Sequence, residues 1–298
     1  MNRHHTCLLS ILTGLMLSIL TAQDPFVIDT SLSSSLPQSI ANSIEIADVD
    51  NDGYNDIIMS GYDSTRFGLF IDIIKVNSQG ALTSGFSTNF ITYPDTIAEF
   101  SGGLGNLDLS DVNLDGSIDI YLNGSARSEL LMNSSSGYFS ESNWLQNMFV
   151  IHSNGKWGDV NMDGKPDLFL MGVKQPADNI LNELYLNTGT YLDEDPTTIF
   201  PALFTGSSAW GDYDNDGDPD LIIGGQTANP NSSVTRLYQN DPIGRLTEVT
   251  TADAISGIKS GAFHFSDLDS DGDLDLIMSG WDKISGSLVT YLLENEPL

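Results

Sequence analysis

The chain carries one cysteine, Cys7, among 298 residues, and 11 lysines and arginines against 41 aspartates and glutamates. Cys7 lies in an apolar N-terminal stretch that reads as a cleaved leader, so the mature protein has neither a thiol nor a disulfide. Stability outside the cell must then come from packing and bound ions. A formal net charge of −30 makes nucleic acid and anionic membranes poor partners, because both would repel the chain. Histidines number 4, and His4 and His5 leave with the leader. His152 and His264 stand alone. The sequence has no serine elbow, no glycine-rich phosphate loop and no histidine metal spacing, so no catalytic constellation is visible and the protein is expected not to be an enzyme.

Long hydrophobic runs are also scarce. Leu8–Leu20 is the apolar core of the leader and is too short for a comfortable membrane span. Arg3 precedes it, and Thr21-Ala22-Gln23 offers a small-residue cleavage site, so residues 1–22 read as a secretory signal. The expected location is secreted or at the cell surface, without stable membrane insertion.

What is present in abundance is one acidic loop. Its best copy is Asp212-Tyr213-Asp214-Asn215-Asp216-Gly217-Asp218-Pro219-Asp220. Acids stand at the first, third, fifth and ninth positions and glycine at the sixth. Four further copies keep the register: Asp48, Asp50, Asp52 and Asp56; Asp111, Asn113, Asp115 and Asp119; Asp159, Asn161, Asp163 and Asp167; Asp267, Asp269, Asp271 and Asp275. The sixth residue is always glycine, at 53, 116, 164, 217 and 272. A hard cation such as Ca²⁺ takes six or more oxygens, and alternate residues of a tight loop can aim carboxylates at one point. Acidic turns would arise by chance, since Asp and Gly form turns readily. Chance would not hold four oxygen-bearing positions in one register five times. An EF-hand begins similarly but needs a bidentate glutamate at position twelve. Here that position holds Met59, Leu122, Leu170, Ile223 and Met278, all apolar.

First aspartates at 48, 111, 159, 212 and 267 give spacings of 63, 48, 53 and 55 residues. Such a period is the length of a β-propeller blade, about 40–50 residues in common types. Each loop follows a short stretch ending in a small residue, as in Trp157-Gly158 and Trp210-Gly211. A nearly continuous apolar run ending in glycine comes after it, as in Leu168–Gly172 and Leu221–Gly225. Short runs of this kind suit strands buried on both faces. A third strand ends at Asn77, Asn133, Asn187, Asn240 or Asn295, where asparagine suits a turn. A fourth, more polar strand is expected in four units, around Phe86–Tyr93, Tyr138–Glu141, Tyr191–Glu194 and Leu246–Thr250. The equivalent Trp157 and Trp210 read as inter-blade core. His264, with counterparts Glu45, Asp108, Lys156 and Ala209, reads as a channel-lining or solvated position. Asn123, Asn133 and Asn231 begin glycosylation sequons, meaningful only in a glycosylating host.

These repeats resemble the FG-GAP/VCBS-type repeats of bacterial secreted proteins and of the integrin α-subunit propeller, over roughly residues 44–295. The carried motif is D-x-[DN]-x-D-G-x-x-D, which implies one structural calcium ion per repeat. The resemblance adds a backbone carbonyl at position seven, here Tyr54, Ser117, Lys165, Asp218 and Asp273. The family's Gly-Ala-Pro is replaced by Ser60-Gly61-Tyr62 and Ser279-Gly280-Trp281. Neutral oxygens at Asn113 and Asn161 suggest weaker ion binding in the second and third repeats.

The expected fold is therefore all-β, a calcium-binding propeller over residues 23–298 with five repeats of four strands. The fifth unit runs out at Asn295-Glu296-Pro297-Leu298, where a fourth strand should begin. Pro25–Asp29 is the expected closing strand, and part of a larger, about seven-bladed propeller is the alternative. Second-to-third-strand loops should share the face opposite the acidic loops, at Tyr62–Phe67, Ser125–Ser128, Val173–Asn182, Gln226–Val234 and Trp281–Ser287. Their variability, with Tyr62, Arg66, Arg127, Lys174 and Trp281 as anchors, marks that face for binding a protein or glycan. The resemblance implies a cell-surface recognition or adhesion module. A lectin-like propeller and a polysaccharide-active enzyme are the alternatives.

Overall fold

A computed structural model describes residues 40–295, apart from 64–67, 79–81, 89–105, 124–127, 135–136, 146–149, 175–178, 230–231, 250–254 and 256. Nineteen strands form five antiparallel sheets among these residues. The first blade holds β1 (Ile40–Ala47), β2 (Asp56–Asp63), β3 (Gly68–Val76) and β4 (Leu82–Thr88), paired in that order. The second holds β5 (Asn106–Ser110), β6 (Asp119–Asn123), β7 (Glu129–Asn133) and β8 (Phe139–Glu141). The third holds β9 (Val150–Gly158), β10 (Asp167–Lys174), β11 (Asn179–Asn187) and β12 (Leu192–Asp195). The fourth holds β13 (Phe204–Gly211), β14 (Asp220–Gln226), β15 (Ser233–Gln239) and β16 (Thr247–Glu248). In the fifth, β17 (Ile258–Ser266), β18 (Asp275–Asp282) and β19 (Ser287–Leu293) make three strands. The domain is an all-β propeller, and every acidic loop joins the first strand of a blade to its second.

Packing follows from the apolar runs. β6 is buried at every residue, and β10 and β14 over their first six. Four clusters fill the joints between successive blades. The one between the third and fourth contains Phe169, Met171, Leu184, Leu221, Ile223 and Tyr238. Burying one such side chain stabilises by about 1.5–3 kcal/mol, so these joints carry most of the apolar energy. Inner strands meet in sequence, β1 with β5, β5 with β9, β9 with β13 and β13 with β17.

Glycine admits aromatics at these contacts. A Cβ on Gly158 would lie 2.7 Å from the Trp210 ring, and one on Gly211 would lie 2.6 Å from Phe265. Trp157 and Trp210 pack against the inter-blade clusters as expected.

Two boundaries differ from the sequence reading. β4 begins at Leu82 rather than near Phe86, and residues 89–93 lie outside the described residues. The third blade's hairpin is much shorter than Val173–Asn182, because Val173 and Lys174 pair with Ile180 and Asn179. Polar residues there sit on a continuing ladder, whose backbone bonds do not depend on side-chain type. The proposed closing strand, Pro25–Asp29, lies outside the described residues, as do Arg66 and Arg127.

Candidate metal centres

Each loop is shaped by its own acids. The first aspartate accepts two backbone N–H bonds across the turn: Asp212 takes those of Asp216 at 3.1 Å and Gly217 at 3.0 Å. Asp48, Asp111 and Asp159 repeat this pair of bonds. Asp267 instead accepts from Ser270 at 2.7 Å. The sixth glycines have φ from +85° to +101°, and a Cβ at any of them would meet no atom within 4 Å. Backbone conformation, not space, therefore requires glycine there. The fourth position is left-handed as well: Asn51, Leu114, Met162, Asn215 and Ser270 have φ between 56° and 67°. Asparagine tolerates that region, whereas leucine and methionine are strained in it.

Carboxylates converge unequally. Asp48, Asp50 and Asp56 bring oxygens within 4.8 Å of one another, as do Asp212, Asp214 and Asp220, and Asp267, Asp269 and Asp271. The second and third loops, with Asn113 and Asn161, form no such triple of acids among the described residues. In the third loop a lysine stands in the way. Lys165 Nζ lies 2.5 Å from Asp163 Oδ2. Burial pushes the Asp163 carboxyl up, but the bonds and charge of Lys165 outweigh this and hold it below the usual range. Lys75 makes a similar pair with Asp50, at 2.6 Å.

The ninth aspartates are buried and fully engaged. Asp167 is 0 % exposed; it accepts the N–H of Val160 at 3.0 Å and of Asn187 at 2.7 Å. Burial raises its pKa to about 6, against the pull of those two bonds. Asp119 is likewise raised to about 6 and Asp220 to about 7, burial being the first cause in each. Nearby aspartates of the same loop add to the rise. Such carboxyls cost energy in their charged form unless a cation joins them.

The chemistry of the donors fits Ca²⁺. Both carboxylate oxygens of Asp218 are buried without a hydrogen-bond donor, and so are Oδ1 of Asp50 and Oδ1 of Asp273. Burial, and then the charges of Asp216, Asp214 and Asp212, raise the Asp218 pKa. Unpaired buried carboxylate oxygens call for a cation, and an all-oxygen set suits a hard one. The sequence reading assigned position seven only a backbone carbonyl. In the fourth and fifth loops its side chain also belongs to the acidic interior, a role that motif matching does not reveal.

The strand-ending asparagines were read as turn formers, and Asn187 does accept the Gly189 N–H on its Oδ1 at 2.8 Å, but the structure gives these side chains a further task. None has positive φ among the described residues, and the side chains of Asn133, Asn187, Asn240 and Asn295 cross to the neighbouring blade. Asn133 donates Nδ2 to the Val49 carbonyl, Asn187 to Val112, Asn240 to Val160 and Asn295 to Tyr213, at 2.6–2.7 Å. Asn123 and Asn133 are both buried, so their sequons are closed in the folded chain. His264 is exposed.

Between the second and third loops lies an open groove of about 390 Å³, lined by Asp108, Ser110, Asp111, Leu114, Trp157 and Pro166 among others. Lys156 Nζ pairs with Asp108 there at 2.9 Å.

The family model of the FG-GAP-like repeat matches residues 159–223 and 212–278. No curated protein matches the chain. Among solved structures, an Agrocybe aegerita lectin that recognises non-reducing terminal N-acetylglucosamine is 18% identical, with a TM-score of 0.46. The match covers 85% of this chain and 66% of that one, so the chain spans just under two thirds of the lectin's length. A Lactobacillus plantarum protein is 14% identical, with 86% and 85% covered and a TM-score of 0.39. An endo-1,4-beta-xylanase from Bacteroides thetaiotaomicron is 11% identical, with 85% and 91% covered and a TM-score of 0.36.

Proposed function

The chain is a β-propeller of FG-GAP-like repeats, and from that premise we propose that it is a secreted recognition or adhesion module held rigid by calcium. One observation carries the calcium reading: carboxylates at positions one and three converge in three repeats, joined by position nine in the first and fourth and by position five in the fifth, and buried oxygens of Asp50, Asp218 and Asp273 meet no donor. In each loop the residues at positions one, three, five and nine would hold the ion, with the carbonyl of position seven. The side chains of Asp218 and Asp273 would add charge in the last two loops. A bound ion supplies positive charge at the centre of the turn and fixes its shape. The ions are structural, because each ligand set comes from one short segment and serves the scaffold. With five such sites, affinity should fall at the modest end for extracellular modules, about 10⁻⁴–10⁻³ M.

Recognition belongs to the face opposite the loops, where the hairpins differ from blade to blade. Trp281 is 41 % exposed there, with Lys174 on the third blade's hairpin. Variable hairpins on a repeated scaffold are suited to contact a protein at a surface. No helix among the described residues is long and apolar enough to cross a membrane.

A second reading, a carbohydrate-binding propeller, is favoured by the groove beside Trp157. It sets a large aromatic residue near carboxylates and a serine hydroxyl. A polysaccharide-active enzyme is the weakest alternative, since it needs converging acid and base groups with their substrate between them.

Thermal melts with millimolar Ca²⁺ and with chelator test the first part. Calcium should raise the melting temperature, because it binds only the folded loops. A melt indifferent to both would reject it. A glycan array and a surface-protein pull-down, each run with and without calcium, separate the protein and sugar readings. Bond cleavage in either assay would point to the enzyme.

A further inference from the structure

The asparagines that end the third strands do more than join blades. Asn187 donates three bonds at once, while its Oδ1 accepts the Gly189 N–H at 2.8 Å. Its Nδ2 donates to the Val112 carbonyl in the second loop at 2.7 Å and to the Pro166 carbonyl in the third at 3.0 Å. Its backbone N–H donates to Oδ1 of Asp167, the ninth residue of the third loop, at 2.7 Å. Asp167 uses its other oxygen for the Val160 N–H, and the carbonyl of Val160 accepts Nδ2 of Asn240 at 2.7 Å. Asn240 then donates its N–H to Asp220 at 2.9 Å, Asp220 accepts from Tyr213, and the Tyr213 carbonyl accepts from Asn295. Starting at Val49 and Asn133, the same sequence of contacts runs without a gap to Asp275 and Leu268.

We infer that this chain of hydrogen bonds couples neighbouring cation sites, with Asn133, Asn187, Asn240 and Asn295 as the positioning residues. Each link passes through the residue after a loop's first aspartate, and through its ninth aspartate. Filling one loop fixes both, and therefore fixes the carbonyl that the next blade's asparagine must reach. That asparagine in turn orients the next ninth aspartate, buried at 0–2 % exposure where no water can substitute. Loops joined in this way should fill cooperatively, each ion lowering the ordering cost of its neighbour's site. The inference rests on the calcium reading above.

The test uses the full chain with Tb³⁺ as a luminescent substitute for Ca²⁺. Trp157 and Trp210 lie two residues before the first aspartates of the third and fourth loops, Asp159 and Asp212, and should sensitise those sites. With Trp210→Phe, emission reports the third loop. Disabling the fourth loop by Asp212→Asn with Asp214→Asn should weaken Tb³⁺ binding at the third by up to about tenfold, the scale of outer-shell partners of metal ligands. Adding Asn240→Ser should erase that dependence. The control is Asn182→Ser, which removes a 2.6 Å bond to the Pro201 carbonyl on the third strand of the third blade, away from the loops. It should lower the melt and leave the dependence intact.

If disabling the fourth loop never moves the third-loop titration, coupling is overturned while the calcium reading stands. A dependence that survives Asn240→Ser overturns the role of the asparagine. Absence of any Tb³⁺ emission displaceable by Ca²⁺ overturns the calcium reading, and the coupling with it.

Discussion

The third and fifth blades carry loops of one motif in very different surroundings. Val160, second in the third loop, is 0 % exposed, whereas its equivalent Leu268 in the fifth is 45 % exposed. Both donate their N–H to the loop's ninth aspartate at 3.0 Å. Val160 then gives its carbonyl to Asn240 and packs beneath the fourth blade. Among the described residues the fifth blade is buried only toward the fourth, through Phe263, Leu276 and Met278, and its outer strand leaves Leu288 and Leu292 largely exposed. The loop makes itself; its cover comes from the neighbour. Stability in a repeat array divides in that way between intrinsic and interface terms.

Deep truncation should separate the two blades most sharply. Phe169→Ala, in the joint between the third and fourth blades, should cost about 3–5 kcal/mol in urea unfolding. Leu288→Ala should stay within about 0.5 kcal/mol. Equal losses would mean that the fifth blade is covered in solution. Pro25–Asp29, which the sequence offers as that blade's missing strand, provides one such cover. If it serves so, deleting residues 23–30 should lower the melting temperature of the whole chain, and an unchanged melt would reject the idea.

Acidity tests the burial of the ninth aspartates without mutation. Asp119, Asp167 and Asp220 have folded pKa values raised to about 6, 6 and 7. A raised folded pKa means the native state holds its proton more tightly than the unfolded chain. Metal-free protein should therefore gain stability as pH falls from about 7 toward 4, and lose it as pH rises through 6–7. Calcium should flatten the profile near neutral pH by taking the proton's place. A chelated sample whose melting temperature falls on acidification over that range would contradict the buried ninth aspartates.

The smallest effects come from the fourth loop position. Asn51 and Asn215 donate Nδ2 to the glycine carbonyl of the next loop, at 3.2 Å and 3.3 Å. Leu114 and Met162 hold the same left-handed backbone without such a bond. Met162→Asn and Leu114→Asn should each stabilise by about 1 kcal/mol, by removing left-handed strain. Ser270→Asn, on the fifth loop with no described loop after it, should give less. Chemical denaturation with calcium present measures all three.

Much of this was legible in the sequence because it is local. Alternating acids, glycine at the sixth position and apolar runs of strand length specify the loop and the two strands beside it within about twenty residues. The motif could not show where Asn187 sends its side chain, because its target, Val112, lies 75 residues away and is defined only once two blades are side by side. Nor could it show that Lys165 would close on Asp163, since a lysine at that position reads as one more solvated charge. Hairpin ends were misjudged for a related reason. Backbone pairing carried Val173 and Lys174 past the point where the side chains turn polar.

The fit of aromatic on glycine has a consequence for how such a chain can grow. Gly158 receives Trp210 from the blade after it, and Gly211, next to Trp210, receives Phe265 from the blade after that. The fourth repeat thus offers a hollow to its successor and a ring to its predecessor, two residues encoding both halves. A tandem duplication of one such unit would bring its own compatible borders, with no compensating change required in either flank. Addition of whole repeats is therefore open to this architecture, whereas a single substitution of Gly211 by a larger residue is not.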